Sequence, residues 1–571
     1  MANDSDIRFS PNLYFARMRQ QHQNNLARLN IWLPLLFAIV LVAGMMIGMR
    51  LQLETPSAMK DIQGNLSTDH AKYSKIEELL RYIEAKYVDN VDRDKLIDEA
   101  INSILKQLDP HSTYISSDQL REVNEQLEGN FEGVGIEFMI LDDTVVVVAP
   151  LAGGPAEAAG VLAGDKIVAV EDSVIAGNGI TSSGVMDLLR GEKGSKVKIE
   201  VARGSELKVR RFAIIRDEIP MNSVDVAYMI NSNTGYIKIN RFSATTYEEF
   251  MKNLEKMVEK QGMKDLVIDL RHNPGGYLQQ ATNILSQLFR DKDKLLVYTE
   301  GRSVSRSDYE SSGKAFFEVQ NIVVLIDEGS ASASEILAGA LQDHDRAYIV
   351  GRRSFGKGLV QEQYNLRDGS ALRLTVARYY TPSGRSIQKP YSDLEKYEAD
   401  VLERYNSGEL SNENRVAIAD TTEYYTTTGR VVFGGGGITP DVFVPIDTVL
   451  FNEYYLALRQ QAAEFAYRYL QQHRAQFKYN SIERFKNQYQ VSDNTLHELV
   501  QHAAKNGVAK DVSQLAVVKK EIKLFIKAQF ARLLFHDEGF FSVINDEDPE
   551  VQKALEILKH PTPFTAYQKK K

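Results

Sequence analysis

Apolar residues recur at three- and four-residue steps near the start of the chain, from Lys75 to Lys106. Because this period places apolar side chains on one face of a helix, the sequence predicts a helical region over residues 75–125. A linker over residues 50–74 is predicted before it. Pro110, in the stretch LDPHSTYIS, breaks the helical pattern.

A different pattern, rich in β-branched and small residues, follows over residues 126–215. The run VVVV indicates a strand, and the stretch PAEAAG indicates a short helix that ends in glycine. The alternating sequence KVKIEVARGSELKVRRFAII is typical of a hairpin with its turn near Arg203 and Gly204. The sequence therefore predicts a separate β-rich domain in this part of the chain.

Strands alternate with helices from residue 216 to residue 450. The stretches DLVIDLRHNPGG, NIVVLIDEGSASASEILAGALQD and AYIVGRRSFGKG each begin with a strand and continue into a loop or a helix. This alternation is typical of a layered α/β core. Residues 451–571 are mostly helical in pattern, so the predicted fold class is a multidomain α/β protein with helical regions at both ends.

An uncharged apolar run from Ile31 to Met49 is long enough to cross a bilayer as a helix. The basic residues before it are Arg8, Arg17, Arg19 and Arg28, whereas only Arg50 follows closely. Positive-inside bias then predicts a single-pass inner-membrane protein, with residues 1–30 cytoplasmic and the later domains periplasmic or extracytoplasmic. The alternatives for this run are a cleaved signal peptide and a buried helix of a soluble protein.

Composition narrows the possible chemistry. The net charge of −9 gives no reason to expect a nucleic acid partner, and the absence of cysteine excludes disulfides, thiol catalysis and thiolate metal sites. The stretch HELVQH is similar to a zinc-binding motif, but the step from His497 to His502 places the two histidines on different helix faces. His111 and His272 are interpreted as hydrogen-bonded turn residues, so no metal or other cofactor is predicted.

The stretch GRRSFGKG, from Gly351 to Gly358, begins like a phosphate-binding P-loop. A P-loop needs serine or threonine after its lysine to hold Mg²⁺. Here Gly358 follows Lys357, and the sequence after it predicts strands rather than a helix. A P-loop ATPase is therefore disfavoured, and Lys357 needs another explanation.

Three serines, Ser330, Ser332 and Ser334, lie where a predicted buried strand turns into a helix. At such a turn the free helix amides can stabilise an anion, which suits a nucleophile, whereas the alternative is that the serines only cap the helix. A nucleophilic serine needs a base, and a lysine can serve if burial lowers its pKa. Lys357 lies between glycines after a hydrophobic strand, where the backbone can approach closely.

These residues resemble those of the carboxyl-terminal processing peptidases, also called tail-specific proteases, which use a Ser-Lys dyad. Five segments match in family order: LDPHSTYI, DLRHNPGG, GSASASEILAGALQD, GRRSFGKGLVQ and GGGGITPDV. The stretch from Gly133 to Ile175 is similar to the PDZ module of the family. The resemblance covers residues 75–450 and implies a peptidase core of the ClpP/crotonase type over residues 216–450, with a PDZ domain over residues 126–215.

The resemblance also implies catalytic roles, for Ser332 as the nucleophile, Lys357 as the general base and Gln361 as the residue that holds the lysine amine. The implied oxyanion hole consists of the backbone amide of Ala333 and an amide of either Gly275 or Gly276. Ser334 and Glu335 are expected to cap and anchor the helix. The implied reaction is peptide-bond cleavage through an acyl-enzyme, without a cofactor.

The PDZ-like module contains a glycine-rich loop whose amides can converge on a C-terminal carboxylate, formed by Gly133, Val134, Gly135 and Ile136. Substrates are therefore expected to be unfolded or tailed proteins that are recognised by their C-termini. Arg190 matches an arginine position of the family's module and is expected to sense the bound tail. The alternatives are a β-turn in an unrelated sandwich for the loop and a plain surface charge for Arg190.

Three segments depart from the family pattern. They are the insertion over residues 301–316, the long tract over residues 391–430 and the helical region after residue 450, which could dimerise, bind an adaptor protein or cover the substrate entrance. The predicted function is a membrane-anchored serine endopeptidase that selects proteins by their C-terminal tails. The alternative is a non-catalytic PDZ scaffold, which is disfavoured because all three catalytic positions hold competent residues.

Overall fold

The computed structural model describes residues 70–151, 153–204, 208–418 and 420–561. The expectation of a single-pass inner-membrane protein with periplasmic or extracytoplasmic domains is corrected here, because no helix in these ranges is both long and apolar enough to cross a membrane. The run predicted to span the membrane, residues 31–49, lies outside the described residues. So do the predicted tail over residues 1–30 and residues 50–69 of the predicted linker.

The chain divides into two compact units, Met1–Ala100 and Ile101–Lys571. Helix α1 spans His70–Lys86 in the first unit. Helix α2 spans Arg93–Lys106 and begins in the same unit. Arg93 Nη2 lies 3.2 Å from Glu77 Oε2, so an ion pair joins these helices. The helical pattern that the sequence predicts here is confirmed.

The second unit contains both helices and strands. Its helices are α3 (Ser117–Glu128), α4 (Pro155–Ala158), α5 (Ser182–Leu189), α6 (Thr246–Glu255), α7 (Leu278–Leu288), α8 (Ala333–Asp343), α9 (Leu394–Ser407), α10 (Glu453–Gln472), α11 (Ile482–Gln488), α12 (Asp493–Lys505), α13 (Val512–Ile544) and α14 (Pro549–Lys559). Its strands are β1 (Thr113–Ile115), β2 (Asn130–Gly133), β3 (Ile136–Leu141), β4 (Thr144–Pro150), β5 (Lys166–Val170), β6 (Ser173–Val174), β7 (Lys196–Ala202), β8 (Arg210–Ile215), β9 (Asp217–Pro220), β10 (Val224–Met229), β11 (Thr234–Ile239), β12 (Asp265–Asp269), β13 (Lys292–Glu300), β14 (Ser307–Ser312), β15 (Ile322–Ile326), β16 (Tyr348–Gly351), β17 (Leu359–Asn365), β18 (Ala371–Tyr380), β19 (Asp420–Tyr425), β20 (Val431–Gly434) and β21 (Val442–Phe443).

Strands β3 to β8 form an antiparallel sheet in the order β3–β4–β5–β7–β8, with β6 on β5. Alternate residues of β7 are buried, as expected of a strand with one face on a core, and β7 pairs with β8 as the predicted hairpin. The side chain of Thr181 caps α5 by accepting a hydrogen bond from Gly184 N at 3.2 Å. The sheet and α5 bury a core of their own, which includes Val145, Val185 and Ile199.

A six-stranded sheet runs in the order β10–β11–β12–β15–β16–β21, and its strands from β11 onward are parallel. All residues of β15 are buried, which explains why its sequence IVVLI is a continuous apolar run instead of an alternating one. Helices α7 and α8 contribute Ile284 and Ile336 to the same core. This is the layered α/β arrangement that the alternating pattern predicts.

Another sheet has the order β1–β18–β13–β14, with β17 also paired to β18. β1 comes from the LDPHSTYI stretch, and β17 begins two residues after Lys357. The strand predicted after the lysine is therefore confirmed, where a P-loop would have a helix. The segments that depart from the family pattern contain β14, within residues 301–316, and α9 and β19, within residues 391–430.

Helices α10 to α14 confirm the helical region predicted after residue 450. Helices α10 to α13 bury an aromatic-rich core of their own, which includes Phe485 and Phe530. Helix α14 belongs to a different cluster, because Val551 packs with Val323 and Val350 of the six-stranded sheet. The last described helix is therefore attached to the sheet that carries the candidate site.

Candidate active site

Three neighbouring parallel strands, β12, β15 and β16, end at the same edge of the six-stranded sheet. Their carboxyl ends lead into the loops that carry Gly275 and Gly276, Ser332, and Lys357. This edge is where open α/β sheets place their functional groups. The first two loops touch, because a Cβ added to Gly275 would lie 2.7 Å from Ser332 Cβ.

Ser332 lies immediately before helix α8 and has a φ of 54° and a ψ of −114°. A positive φ is strained for a residue other than glycine, and such strain collects at functional sites. Ser330 and Ser334 are buried, and their hydroxyls donate hydrogen bonds to backbone carbonyls at 2.9 and 3.0 Å. Ser332 is half-buried and is therefore the best placed of the three serines to meet a substrate.

Lys357 is held by its neighbour four residues further along the chain. Its Nζ donates a hydrogen bond to Gln361 Oε1 at 3.1 Å, and Gln361 Nε2 in turn donates to the carbonyl of His111. Burial lowers the pKa of Lys357, and the positive charge of Arg373 lowers it further. Both effects favour the neutral amine that a general base requires.

Glu335 connects the serine segment to the lysine segment. Its buried carboxylate accepts hydrogen bonds from the backbone N–H groups of Ser332, Gly356 and Lys357 at 2.9, 2.7 and 2.8 Å. The hydroxyl of Ser354 donates to the same carboxylate at 2.5 Å. Burial raises the pKa of Glu335 to about 7, whereas these four hydrogen bonds favour the ionised form. The sequence predicts Glu335 only as a helix anchor, and the structure gives it this larger set of partners.

Tyr379 makes a second connection between the same segments. Its buried hydroxyl lies 3.1 Å from the carbonyl oxygen of Ser332 and 2.5 Å from that of Lys357. Burial raises the pKa of Tyr379 well above its ordinary value, so the hydroxyl stays protonated and can donate. Sequence reasoning missed this residue, because no motif marks a tyrosine that meets the site from β18.

The backbone amides near Ser332 differ in their partners. Gly275 N donates to Asn273 Oδ1 at 2.8 Å. Among the described residues, no hydrogen-bond acceptor is found for the N–H groups of Gly276 and Ala333. Gly276 has a φ of 143°, and a Cβ there would lie 2.1 Å from the carbonyl oxygen of Phe242, so only glycine fits.

The LDPHSTYI stretch contacts Gln361, the residue that holds the lysine amine. Asp109 accepts hydrogen bonds from His111 N and Ser112 N, both at 2.8 Å, and this turn presents the His111 carbonyl to Gln361. The His111 ring Nε2 lies 2.6 Å from the Tyr397 hydroxyl. Burial and the nearby charge of Lys357 lower the pKa of His111 to about 4. The prediction of a hydrogen-bonded turn histidine is confirmed, although its link to Gln361 could not be anticipated.

The residues predicted for tail binding lie in and beside the β-rich sheet. Gly133 ends β2, Ile136 begins β3, and Gly135 has a φ of 74°. Arg190 Nη1 lies 3.2 Å from Glu125 Oε2 of α3, and its guanidinium lies 5.0 Å from the centre of the Phe131 ring. In the described part of the chain, no hydrogen bond or ion pair joins these residues directly to the serine or the lysine.

Comparison with known proteins places this geometry in a family. Residues 233–395 match the model of peptidase family S41, and residues 133–211 match that of the PDZ domain. A carboxy-terminal-processing protease of Bartonella bacilliformis is 35% identical over 439 residues, which cover 75% of this chain and 97% of the relative. The chain belongs to the carboxy-terminal processing protease family. It is therefore a serine-type endopeptidase with a PDZ domain.

Further relatives and family models match large parts of this chain. The protease CtpA of Bacillus subtilis is 34% identical and covers 62% of the chain and 77% of the relative. A solved structure of a photosystem II D1 C-terminal processing protease is 29% identical, covers 64% of this chain and 86% of that one, and has a TM-score of 0.33. The remaining family models match residues 38–119, as an activating protease CtpB N-terminal domain, and residues 454–537, as a family of unknown function (DUF8443).

Proposed function

We propose that this protease cleaves peptide bonds with Ser332 as the nucleophile, Lys357 as the general base and Gln361 as the residue that orients the lysine. The observation that carries the proposal is a shared anchor. Glu335 accepts hydrogen bonds from the backbone N–H groups of Ser332 and Lys357 at 2.9 and 2.8 Å, so one buried carboxylate fixes the two segments to each other. Preorganisation of this kind is what nucleophilic catalysis requires.

In the proposed reaction, neutral Lys357 takes the hydroxyl proton of Ser332, and the serine oxygen attacks the peptide carbonyl. Lys357 then gives its proton to the leaving amine, and an acyl group stays on the serine. Water, deprotonated by Lys357, attacks the acyl-enzyme, and Lys357 returns this proton to the serine oxygen as the new C-terminus leaves. The lowered pKa of Lys357 supports this role, because the amine must be neutral before it can accept a proton from the serine or from water.

The oxyanion that forms during each attack needs donors that have no other partner. Gly275 N already donates to Asn273 Oδ1 at 2.8 Å, whereas the amides of Gly276 and Ala333 have no acceptor among the described residues. The proposed oxyanion hole therefore consists of the N–H groups of Gly276 and Ala333. The proposal thus names Gly276 from the two glycines that the motif leaves open.

Substrates are proposed to be proteins with an accessible C-terminal tail, which binds at the loop over residues 133–136 and is sensed by Arg190. The PDZ match over residues 133–211 supports this role, since PDZ domains bind C-terminal peptides. The proposed domain limits are residues 75–125 for the N-terminal helical part, 126–215 for the PDZ domain, 216–450 for the peptidase core and 451–571 for the helical C-terminal region.

The proposal is tested with the purified full chain and its Ser332→Ala variant. Each is incubated with an unfolded protein that ends in an apolar tail, and with the same protein ending in Asp-Asp. We expect cleavage by the wild type alone, with faster cleavage of the apolar tail. Cleavage that persists in Ser332→Ala would show that another residue is the nucleophile, and equal rates for the two tails would refute tail selection.

A further inference from the structure

All three loops of the proposed catalytic site are joined by one cluster of charged residues on the sheet edge. Arg271 follows β12, Glu328 follows β15 and Arg352 follows β16. Glu550, in the first turn of α14, contacts the guanidinium groups of both arginines. Arg352 Nε also lies 2.9 Å from Glu328 Oε2. A residue near the end of the chain therefore bridges the loops that lead to Gly276 and to Lys357.

The cluster is well enclosed. Arg352 and Glu550 are buried, and Arg271 is further held by Asp269 Oδ2 at 2.6 Å and by Asp548 Oδ2 at 2.8 Å. Buried charges are costly when a partner is missing, so loss of the shared carboxylate would leave both arginines short of a partner. The spacing between the arginines is thus set by the carboxylate that both of them contact.

Helix α14 is itself fixed to the sheet. Its side chain Val551 is fully buried and packs with Val323 and Val350 of β15 and β16. Asp548 caps the helix by accepting hydrogen bonds from Glu550 N and Val551 N, both at 3.0 Å. The position of Glu550 is therefore determined by apolar packing under the same strands that end at the site.

We propose that Glu550 is a positioning residue for peptide-bond cleavage, which holds the glycine loop and the lysine loop at a fixed spacing on either side of Ser332. The proposal rests on the proposed function of Ser332 and Lys357. It also gives the C-terminal region a role that lies outside the residues matched by the peptidase model, 233–395.

The proposed role concerns the arrangement of the catalytic groups and not the binding of substrate. Displacing a catalytic group by about 1 Å can cost about 100-fold in rate. We expect Glu550→Gln to lower kcat by about 10- to 100-fold, while KM for a tailed unfolded protein stays within about twofold. The matched control is Glu556→Gln, because Glu556 is exposed on the same helix and pairs only with Lys553, at 2.8 Å, among the described residues.

The experiment measures kcat and KM of the full chain for the wild type, Glu550→Gln and Glu556→Gln, with Ser332→Ala in parallel and the urea unfolding midpoint of each variant. A folded Glu550→Gln variant with wild-type kcat, or with its loss confined to KM, would overturn the inference. If Glu550→Gln fails to fold, Glu550→Asp is judged by the same criterion, since it keeps the charge but shortens the side chain. Cleavage by Ser332→Ala would refute the proposed function itself, which separates the two failures.

Discussion

Lys357 is the residue on which the proposed chemistry depends most, because only its neutral form can accept a proton. Burial, aided by Arg373, lowers its pKa below the ordinary lysine value of 10.5. We therefore expect kcat/KM to rise with pH along a limb whose midpoint lies below 10.5. His111 does not account for this limb, because its pKa of about 4 leaves it neutral at higher pH.

The limb is assigned by measuring kcat/KM from pH 5 to pH 10 with an uncharged peptide substrate, for the wild type and Lys357→Arg. Because arginine cannot lose its proton in a protein, we expect Lys357→Arg to reduce kcat/KM by at least about 1,000-fold across this range. A Lys357→Arg variant with the wild-type profile would exclude Lys357 as the base.

Substitution of Gln361 tests whether the lysine side chain must be held in place. It accepts a hydrogen bond from Lys357 Nζ at 3.1 Å, whereas Gln363 on the same strand is exposed and has no hydrogen bond to the lysine among the described residues. Without this acceptor the amine is less well oriented, so we expect Gln361→Ala to lower kcat by about 10- to 100-fold. Gln363→Ala is the control, with both variants measured on a short peptide without a tail so that the contact of Gln363 with Asn124 plays no part, and equal kcat values in the two variants would contradict the orienting role.

The residues of the proposed site could be predicted from the sequence where a motif marks them, and not elsewhere. The segments around Ser332, Lys357 and Gln361 match the family, so their spacing along the chain was informative. Tyr379 and the His111 carbonyl reach the same site from strands and turns far away in the sequence. Periodicity describes local structure, so contacts of this range leave no signal in a single sequence.

At the scale of elements, helix α3 joins the β-rich domain to β17, the strand that carries Gln361. Glu125 on α3 pairs with Arg190 at 3.2 Å, and Asn124 on the same helix accepts a hydrogen bond from Gln363 Nε2 of β17 at 3.3 Å. A change at Arg190 can therefore reach the strand that carries Gln361 through one helix. We propose this chain of contacts as the route by which a bound tail affects the site.

We expect Arg190→Ala to reduce kcat/KM for a protein with an apolar C-terminal tail by about 5- to 50-fold, the size of a typical coupling between sites. Cleavage of a short internal peptide without a tail should change by less than about twofold. The matched control is Lys193→Ala, which removes an exposed cation that pairs with Asp217 and Glu218. Equal losses for tailed and untailed substrates in Arg190→Ala would contradict the sensing role.

The elements themselves were largely predictable, because their periodicity is local. The α/β alternation, the hairpin of β7 and β8 and the C-terminal helices all follow from patterns within short windows. The sheet that unites β1 with β13, β17 and β18 could not be predicted in this way, since its strands come from distant segments. The attachment of α14 to the six-stranded sheet was missed for the same reason.

For the whole molecule, buried ion pairs predict how stability depends on pH. Although burial opposes it, the charges of Arg271 and Lys238 hold the pKa of Asp269 below its ordinary value of 3.8. A carboxyl with a lowered folded-state pKa stabilises the fold above its ordinary pKa, and this contribution is lost as the pH falls through the folded-state value.

We therefore expect the free energy of unfolding in urea to decrease as the pH falls below about 4. Asp269→Asn should be less stable than the wild type at pH 7, by about 3 kcal/mol as for other broken buried pairs, and less sensitive to acid. Urea titrations monitored by circular dichroism at pH 7 and pH 3.5 measure both quantities. An equal pH dependence in the two proteins would show that this pair does not set the acid limit.

Ser332, activated by Lys357, is the proposed nucleophile of this protease. The most direct measurement treats the full chain with a small fluorophosphonate, which needs no tail recognition, and locates the adduct by peptide mass spectrometry. We expect one adduct, on Ser332, that forms faster as the pH rises and is lost in Lys357→Arg. An adduct on another serine, or labelling of Ser332 at an undiminished rate in Lys357→Arg, would contradict it.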